Sequence, residues 1–212
     1  MTNHFLEFEL RLSFLRHQLS AESILFRDLF IESNSKKEKM VKQDCKVCKN
    51  RELNIFSEID KFGFYYPSSI CTICGNVQQK YYYDENTLVD FYSNHYRKIY
   101  GAPNPENHFK AQRKFRGLKI LNFIKQHTTM PKNVLEVGCG SGGILSRFID
   151  EGCNVLGLDF DDNYLEAARK YKIQVIKGSI EVLNKEDKFD LIILSHVLEH
   201  LIDPVAALRK AQ

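Results

Sequence analysis

Four of the six cysteines stand in two C-x-x-C pairs, CKVC and CTICG, with 22 residues between the pairs. Each pair can place two thiolates on one tight turn, and Gly75 lets the second turn curl so that amide groups point at sulfur. Four thiolates form the closed tetrahedral shell that Zn²⁺ prefers in structural sites. The spacing therefore predicts structural zinc, with unliganded core thiols as the alternative. The candidate ligands are Cys45, Cys48, Cys71 and Cys74.

A glycine-rich turn, GCGSGG at 138–143, follows the apolar run NVLEV. The turn satisfies both G-x-G-x-G and G-x-G-x-x-G, and the second pattern is typical of dinucleotide binding. Glu136 stands two residues before the first glycine, where it would repel a pyrophosphate but favour the ammonium and sulfonium of S-adenosylmethionine. Asp159, at the end of the next predicted strand, can accept both ribose hydroxyls of either ligand. Charge favours the methyl donor, and a nicotinamide-dependent enzyme is the rival hypothesis.

A third group of residues lies in HVLEH at 196–200. If this segment is helical, the i, i+3, i+4 spacing places His196, Glu199 and His200 on one face. We expect His200 to act as a general base, since the pKa of histidine lies near neutrality. The alternatives are a metal site, for which Mg²⁺ would lack its preferred oxygen ligands, and residues that only shape the pocket and cap the next helix.

These residues are carried by segments that alternate between strand and helix. The order β-α-β-α-β-β, with strands that are apolar throughout, predicts an α/β fold with a Rossmann-like, doubly wound parallel sheet. In such sheets ligands bind beyond the carboxyl ends of the strands, where the glycine turn lies. Asp161 or Asp162 is expected to cap the second helix of this region, and Asp203 is expected to cap a helix beginning at Pro204.

The run from VLEVGCGSGG through VLGLDF and VIKGSI to FDLIILSHVLEHLIDP resembles the class I S-adenosylmethionine-dependent methyltransferases over roughly residues 133–212. Ser179 departs from the aspartate common at its position, which weakens the hydrogen bond to the adenine amino group. The fold of this family continues with further strands, so the resemblance implies a truncated chain holding the first four strands, unless a partner chain completes the sheet. The implied cofactor-binding residues are Glu136, Gly138, Gly140 and Gly142 around the methionine part, Asp159 on the ribose, Phe160, Ser179 and Ile180 near adenine, and Ser195.

The four cysteines, a tyrosine-rich stretch at 80–101 and the donor fold together resemble bacterial methyltransferases with an N-terminal zinc-binding domain. That resemblance implies a small acceptor, such as a nucleotide-linked sugar or a surface-polysaccharide precursor. The alternative is an inactive remnant that acts as a zinc-containing interaction module. The expected organisation is an amphipathic helix at 1–32, a linker at 33–44, a zinc-binding and tyrosine-rich domain at 45–100, and the donor domain at 101–212.

Composition limits the remaining classes. The chain has 212 residues, 43% of them hydrophobic, and a mild net charge of +3, which argues neither for nucleic acid nor for an anionic membrane, so we expect no nucleic-acid partner. It has no apolar run long enough to span a membrane and no secretory signal, so we expect a cytoplasmic protein. The basic helix at 109–127 is expected to keep its charges in solvent and to bury Phe115, Leu118, Ile120, Leu121 and Ile124.

Overall fold

The computed structural model describes residues 20–34, 40–60, 65–101, 104–184 and 186–212, and side chains of 31–34 are not among the described ones. The chain divides into two units, Met1–Ala102 and Pro103–Gln212. No helix in the described ranges is long and apolar enough to cross a membrane.

In the described part of the first unit there are one long helix, two small antiparallel sheets and a helical segment. One sheet pairs β1 with β5, and the other has the order β2-β3-β4. The elements are α1 (Ala21–Asn34), β1 (Met40–Lys42), β2 (Leu53–Ile59), β3 (Tyr65–Cys71), β4 (Val77–Gln79), β5 (Tyr81–Tyr83), α2 (Glu85–Asp90), a π-helical turn (Phe91–His95) and α3 (Tyr96–Ile99).

Two expectations concern the start of the chain, the helix at 1–32 and the linker at 33–44. Most of the amphipathic helix expected at 1–32 lies outside the described residues. These begin at Ser20, directly before α1 (Ala21–Asn34). The linker expected at 33–44 is wrong in part, because Asn34 ends α1 and Met40–Lys42 form β1. The polar residues on either side hid this three-residue strand, which pairs antiparallel with Tyr81–Tyr83.

The tyrosine-rich stretch supplies much of the core of the first unit. Phe30 is buried, with its ring centroid 5.9 Å from that of Tyr83 and 5.0 Å from that of Phe91. Tyr66 stacks on Tyr83 at 6.0 Å, and burial raises the pKa of the Tyr66 phenol above its usual value. These aromatic side chains therefore hold helix and strands together within the unit.

The second unit is the predicted α/β fold. Its sheet has four strands, β6 (Asn133–Val137), β7 (Asn154–Asp159), β8 (Gln174–Lys177) and β9 (Leu191–Ile193). Their order is β8-β7-β6-β9, and all three pairings are parallel. Consecutive residues of the central strand enter different clusters, since Val134 packs with Leu145 and Phe148 while Leu135 packs with Ile180 and Ala207. Both faces of the sheet are therefore buried, as apolar parallel strands require.

The elements of this unit follow the predicted order. Its strands are short, and the fourth covers only three residues. They are α4 (Pro105–Ala111), a π-helical turn (Gln112–Gly117), α5 (Leu118–His127), β6 (Asn133–Val137), α6 (Leu145–Asp150), β7 (Asn154–Asp159), α7 (Asp162–Lys170), β8 (Gln174–Lys177), a 3-10 turn (Ile180–Val182), β9 (Leu191–Ile193), a 3-10 turn (Leu198–His200) and α8 (Pro204–Lys210).

The buried face predicted for the basic helix is only partly correct. Leu121 and Ile124 are buried, but Phe115 is 67% exposed and Leu118 is 41% exposed. The π-helical turn between α4 and α5 widens the helix and rotates these side chains away from the face that a continuous α-helix would give them. Gly117 takes the position against the protein instead, where an added Cβ would lie 3.1 Å from the Cα of Ile144.

Candidate functional site

The turn after β6 has a backbone that requires glycine. Gly138, Gly140 and Gly142 have φ values of 72°, 54° and 78°, in the left-handed region that side chains disfavour. A Cβ at Gly138 would also lie 2.6 Å from Cγ2 of Val197, and one at Gly143 would lie 2.5 Å from the carbonyl oxygen of Phe109. The turn therefore curls tightly between the start of α6 and two neighbouring segments.

Asp159 connects the end of β7 to this turn. Its Oδ2 accepts a hydrogen bond from the amide of Gly140 at 2.8 Å, and its Oδ1 accepts one from the amide of Asp161 at 3.0 Å. Asp161 in turn caps α7, as expected for one of the two candidate aspartates. The carboxylate of Asp159 thus lies at the carboxyl end of the strand beside the glycine turn, where the sequence places it.

Glu136 lies one strand away and is 2% exposed. Its Oε2 is buried without a hydrogen-bond partner among the described residues. Burial, reinforced by the negative charge of Asp159, raises the pKa of the Glu136 carboxyl well above its usual value, against smaller opposing effects of Arg116 and the Leu145 amide. A buried acid with an unused oxygen is suited to a ligand that brings positive charge.

The candidate adenine-side residues follow β7 and β8. Phe160 is half-buried at the end of β7, and Ser179 caps the 3-10 turn through a 3.4 Å hydrogen bond from the amide of Glu181. Ile180 is 2% exposed and packs with Leu158 in a core cluster. In this structure Ile180 is thus a core residue next to the presumed adenine side.

HVLEH does not form one continuous helix. His196 has a φ of 57°, and only Leu198–His200 form a 3-10 turn. The three polar side chains still converge, since Nδ1 of His196 lies 3.6 Å and Nε2 of His200 lies 4.0 Å from Oε1 of Glu199. Val197 points at Gly138, so this segment lies against the glycine turn, with the half-buried Ser195 at its start.

Three residues at the glycine turn are absent from the sequence-based set. Nδ1 of His108 lies 2.8 Å from Oγ of Ser141, which is fully buried within the turn. Gln112 approaches the same histidine from one helical turn away, with 3.4 Å between its Nε2 and Nε2 of His108. Asn104 followed by Pro105 does indicate where this helix starts, but no motif marks His108 or Gln112.

In the first unit the four candidate zinc ligands come together. Their sulfur atoms all lie within 4.8 Å of one another, and within the described ranges they are the one group of three or more metal-ligating side chains so arranged. Cys45 is 3.5 Å from Cys74 and Cys48 is 3.5 Å from Cys71, measured between Sγ atoms. A tetrahedron with Zn–S bonds of about 2.3 Å needs similar sulfur separations, so the four side chains fit that metal.

The two cysteine turns are alike in detail. Each continues as C-x-x-C-x-N, and the residue after the second cysteine has a left-handed φ, 61° at Lys49 and 72° at Gly75. The amides of Cys45 and Cys71 donate to the carbonyls of Asn50 and Asn76 respectively. The repeat CKVCKN and CTICGN therefore encodes the same turn twice, a signal that the cysteine spacing alone did not reveal.

Backbone amides favour the thiolate form of two of these cysteines, Cys71 and Cys45. At Cys48 the Asn50 amide acts in the same direction, but desolvation and the neighbouring cysteines outweigh it and raise the pKa of that thiol to about 12. The amide of Cys74, followed by that of Ile73, lowers the pKa of the Cys71 thiol to about 6 despite some desolvation. Burial raises the pKa of Cys45, but amides of Cys48 and Val47 outweigh it, so that pKa lies below its usual value. Thiolates are the form that binds metal.

Residues 135–212 match the family described as "Methyltransferase domain". Among curated relatives, the ubiquinone biosynthesis O-methyltransferase of Nitrosospira multiformis is 35% identical over 116 residues, covering 50% of this chain and 48% of that protein. The corresponding enzyme of Hydrogenovibrio crunogenus is 34% identical over 113 residues, covering 49% and 46%. The chain thus spans about half the length of the curated relatives it matches.

Among solved structures, the chain is similar to magnesium protoporphyrin IX methyltransferase of Synechocystis PCC 6803 with bound S-adenosylmethionine. Identity is 17%, the TM-score is 0.47, and the match covers 60% of this chain and 70% of that one. A possible histamine N-methyltransferase of Thermotoga maritima is 26% identical, with a TM-score of 0.39 and 50% coverage of each chain. These comparisons lend no support to a sugar-type acceptor.

Proposed function

We propose that this chain, which carries a methyltransferase domain at residues 135–212, binds S-adenosylmethionine at the glycine turn of its second unit and contributes to methyl transfer onto a small molecule. The observation that carries the proposal is the buried, unpartnered Oε2 of Glu136 beside a turn that only glycine can form. A dinucleotide would bring a pyrophosphate to that acid, whereas the methyl donor brings an ammonium.

The residues present fit this donor. Glu136 offers an acceptor for the ammonium, while the left-handed φ values of Gly138, Gly140 and Gly142 allow the tight turn beside it. Asp159 lies at the carboxyl end of β7, where its two oxygens accept hydrogen bonds from the amides of Gly140 and Asp161. We propose that this carboxylate also meets the ribose hydroxyls of the donor. Phe160, Ser179, Ile180 and Ser195 are proposed for the remaining donor contacts.

When bound, S-adenosylmethionine supplies an activated methyl group, so the chain's own residues need mainly to align an acceptor. We assign the proton step to the segment at 196–200, which packs on the glycine turn through Val197. His200 takes the proton of an acceptor hydroxyl, and Glu199 lies close to both histidines, where it can orient their rings. His196 is the second candidate base.

Two acceptor classes follow from different observations. The module of four cysteines ahead of the donor domain resembles enzymes that act on nucleotide-linked sugars. The curated relatives are instead named for ubiquinone biosynthesis and O-methyl transfer. Screening should therefore include sugar nucleotides and hydroxylated quinone precursors, with methylated product measured by mass spectrometry.

We propose that the cysteine site of the first unit holds one structural Zn²⁺. The fitting sulfur separations and the lowered pKa values of the Cys71 and Cys45 thiols support it. All four positions of the tetrahedron come from protein, which leaves no open position for water or substrate. The metal would therefore stabilise the strands around it and take no part in methyl transfer.

The decisive experiment is calorimetric titration of the zinc-checked chain with S-adenosylmethionine and, in parallel, with NAD. Saturable binding of the methyl donor alone is the expected result. Binding of NAD alone would overturn the assignment of the donor. Binding of neither ligand by a folded, zinc-loaded chain would favour the alternative of a zinc-containing interaction module.

A further inference from the structure

Across the described residues, two buried side-chain oxygen atoms lack a hydrogen-bond partner, and both are acceptors. One is Oε2 of Glu136, and the other is Oε1 of Gln112. Buried polar atoms are almost always paired in folded proteins, so two unpaired acceptors in one unit require an explanation.

The two residues border the same turn. Gln112 begins the π-helical turn, which lies directly on the glycine turn. A Cβ added at Gly143 would lie 2.6 Å from the Cβ of Gln112. Arg116, in the same π-helical turn, is near enough to Glu136 for its positive charge to lower the pKa of that carboxyl. Glu136 also receives a hydrogen bond from the amide of Leu145, two residues beyond Gly143. The helix and the strand end thus enclose the same stretch of the turn.

Gln112 is placed with its amide nitrogen 3.4 Å from Nε2 of the His108 imidazole. When this amide is the donor, that ring nitrogen is the acceptor, and Nδ1 of His108 carries the proton and donates to Oγ of Ser141, 2.8 Å away. With its nitrogen held by the histidine, Gln112 directs its oxygen elsewhere.

We propose that Oε1 of Gln112 and Oε2 of Glu136 together accept hydrogen bonds from the α-ammonium group of the methyl donor. An ammonium carries three donors and no acceptor, which complements two unpaired acceptors, whereas a carboxylate or phosphate would be repelled. His108 and Ser141 act as positioning residues, because they orient the Gln112 amide relative to the glycine turn. The inference deepens the proposed function and depends on it.

The test compares two ligands that share the nucleoside and differ at the amino-acid end. S-adenosylhomocysteine keeps the ammonium, and 5′-methylthioadenosine lacks it. Gln112→Leu should weaken binding of S-adenosylhomocysteine by roughly tenfold or more, as expected for loss of a hydrogen bond to a charged group. Binding of 5′-methylthioadenosine should stay unchanged. Gln112→Glu, which keeps an acceptor at this place, should retain binding of S-adenosylhomocysteine. The matched control is Gln126→Leu, a change of an exposed glutamine on α5, which should leave binding of both ligands unchanged.

The outcomes separate the inference from the proposed function. Equal loss of both ligands in Gln112→Leu would mean that the glutamine only supports the fold, and no loss of either would mean that it does not meet the ligand. Equal loss of S-adenosylhomocysteine in Gln112→Glu and Gln112→Leu would mean that the amide nitrogen serves a carboxylate. Each of these results overturns the inference while leaving the donor site in place. Failure of the unaltered chain to bind either nucleoside would remove the proposed function itself.

Discussion

Replacing Glu136 by glutamine should change stability and donor binding in opposite directions as the pH rises. Glu136 is buried and its pKa lies well above the usual value, so the folded protein holds this proton more tightly than the unfolded chain does. The stabilising contribution of the protonated carboxyl is complete below the unfolded pKa of about 4.3 and is lost as pH rises towards the folded pKa. Glutamine has no titratable proton, so its contribution to the free energy of unfolding does not change with pH.

The slope of the effect follows from proton linkage. Between the unfolded and folded pKa values the native state binds one more proton, so the unfolding free energy of the unaltered chain should fall, relative to Glu136→Gln, by about 1.4 kcal/mol per pH unit. Urea unfolding of both proteins at several pH values from 5 to 8 measures this difference. Glu166→Gln, an exposed change on α7, is the matched control and should give a difference that is flat with pH.

Donor binding supplies the second half of the prediction. An ammonium beside Glu136 favours the carboxylate and lowers its pKa, so binding should release a proton below the pKa of the free protein and should strengthen as pH rises through it. Calorimetry in two buffers of different ionisation enthalpy counts that proton. Glu136→Gln should abolish the release and weaken binding by about 1.5–3 kcal/mol. A pH-independent stability difference together with unchanged donor affinity would refute the placement of Glu136 as a buried acid that meets the ligand.

Three further changes test other parts of the structure. Cys71→Ser should remove zinc from the purified chain, as measured by elemental analysis. Cys153→Ser, which alters a thiol of the second unit, should leave the zinc content unchanged. Equal zinc content in the two variants would contradict the metal site. Asp159→Asn should weaken binding of S-adenosylmethionine and of 5′-methylthioadenosine alike, since it acts on the ribose, and selective loss of one ligand would contradict this. Leu121→Ala should lower the free energy of unfolding by about 2–5 kcal/mol, while Phe115→Ser should change it by less than about 0.5 kcal/mol; equal losses would show that the π-helical turn is misplaced.

The sheet and its glycine turn could be predicted because their signals are local. An apolar strand, a glycine that must adopt a left-handed φ and an aspartate that caps a helix are each encoded within a few neighbouring residues. Gly138, Asp159 and Asp161 accordingly lie where the sequence places them. The grouping of the four cysteines was equally predictable, since two C-x-x-C pairs can each place two thiols on one turn.

The helix ahead of the sheet was less predictable because its periodicity is interrupted. A constant helical period assigns Phe115 to the buried face, yet this side chain is largely exposed. Arg113, expected in solvent, instead donates to Ser146 at 2.9 Å and to Asp150 at 2.6 Å. Contacts between residues more than thirty positions apart, such as that of His108 with Ser141, carry no signal in a single sequence.

The π-helical turn at Gln112–Gly117 also has a consequence for descent among relatives. A turn closed by bonds to the fifth residue contains one residue more than an α-helical turn, so a helix can accommodate a single additional residue at this place without breaking. A relative in which this helix is regular should reach the equivalent of Gly143 with one residue fewer. In an alignment with such a relative, the one-residue gap would then fall inside a helix, where gaps are usually disfavoured. The residue at the position of Gln112 would also face another side of the helix.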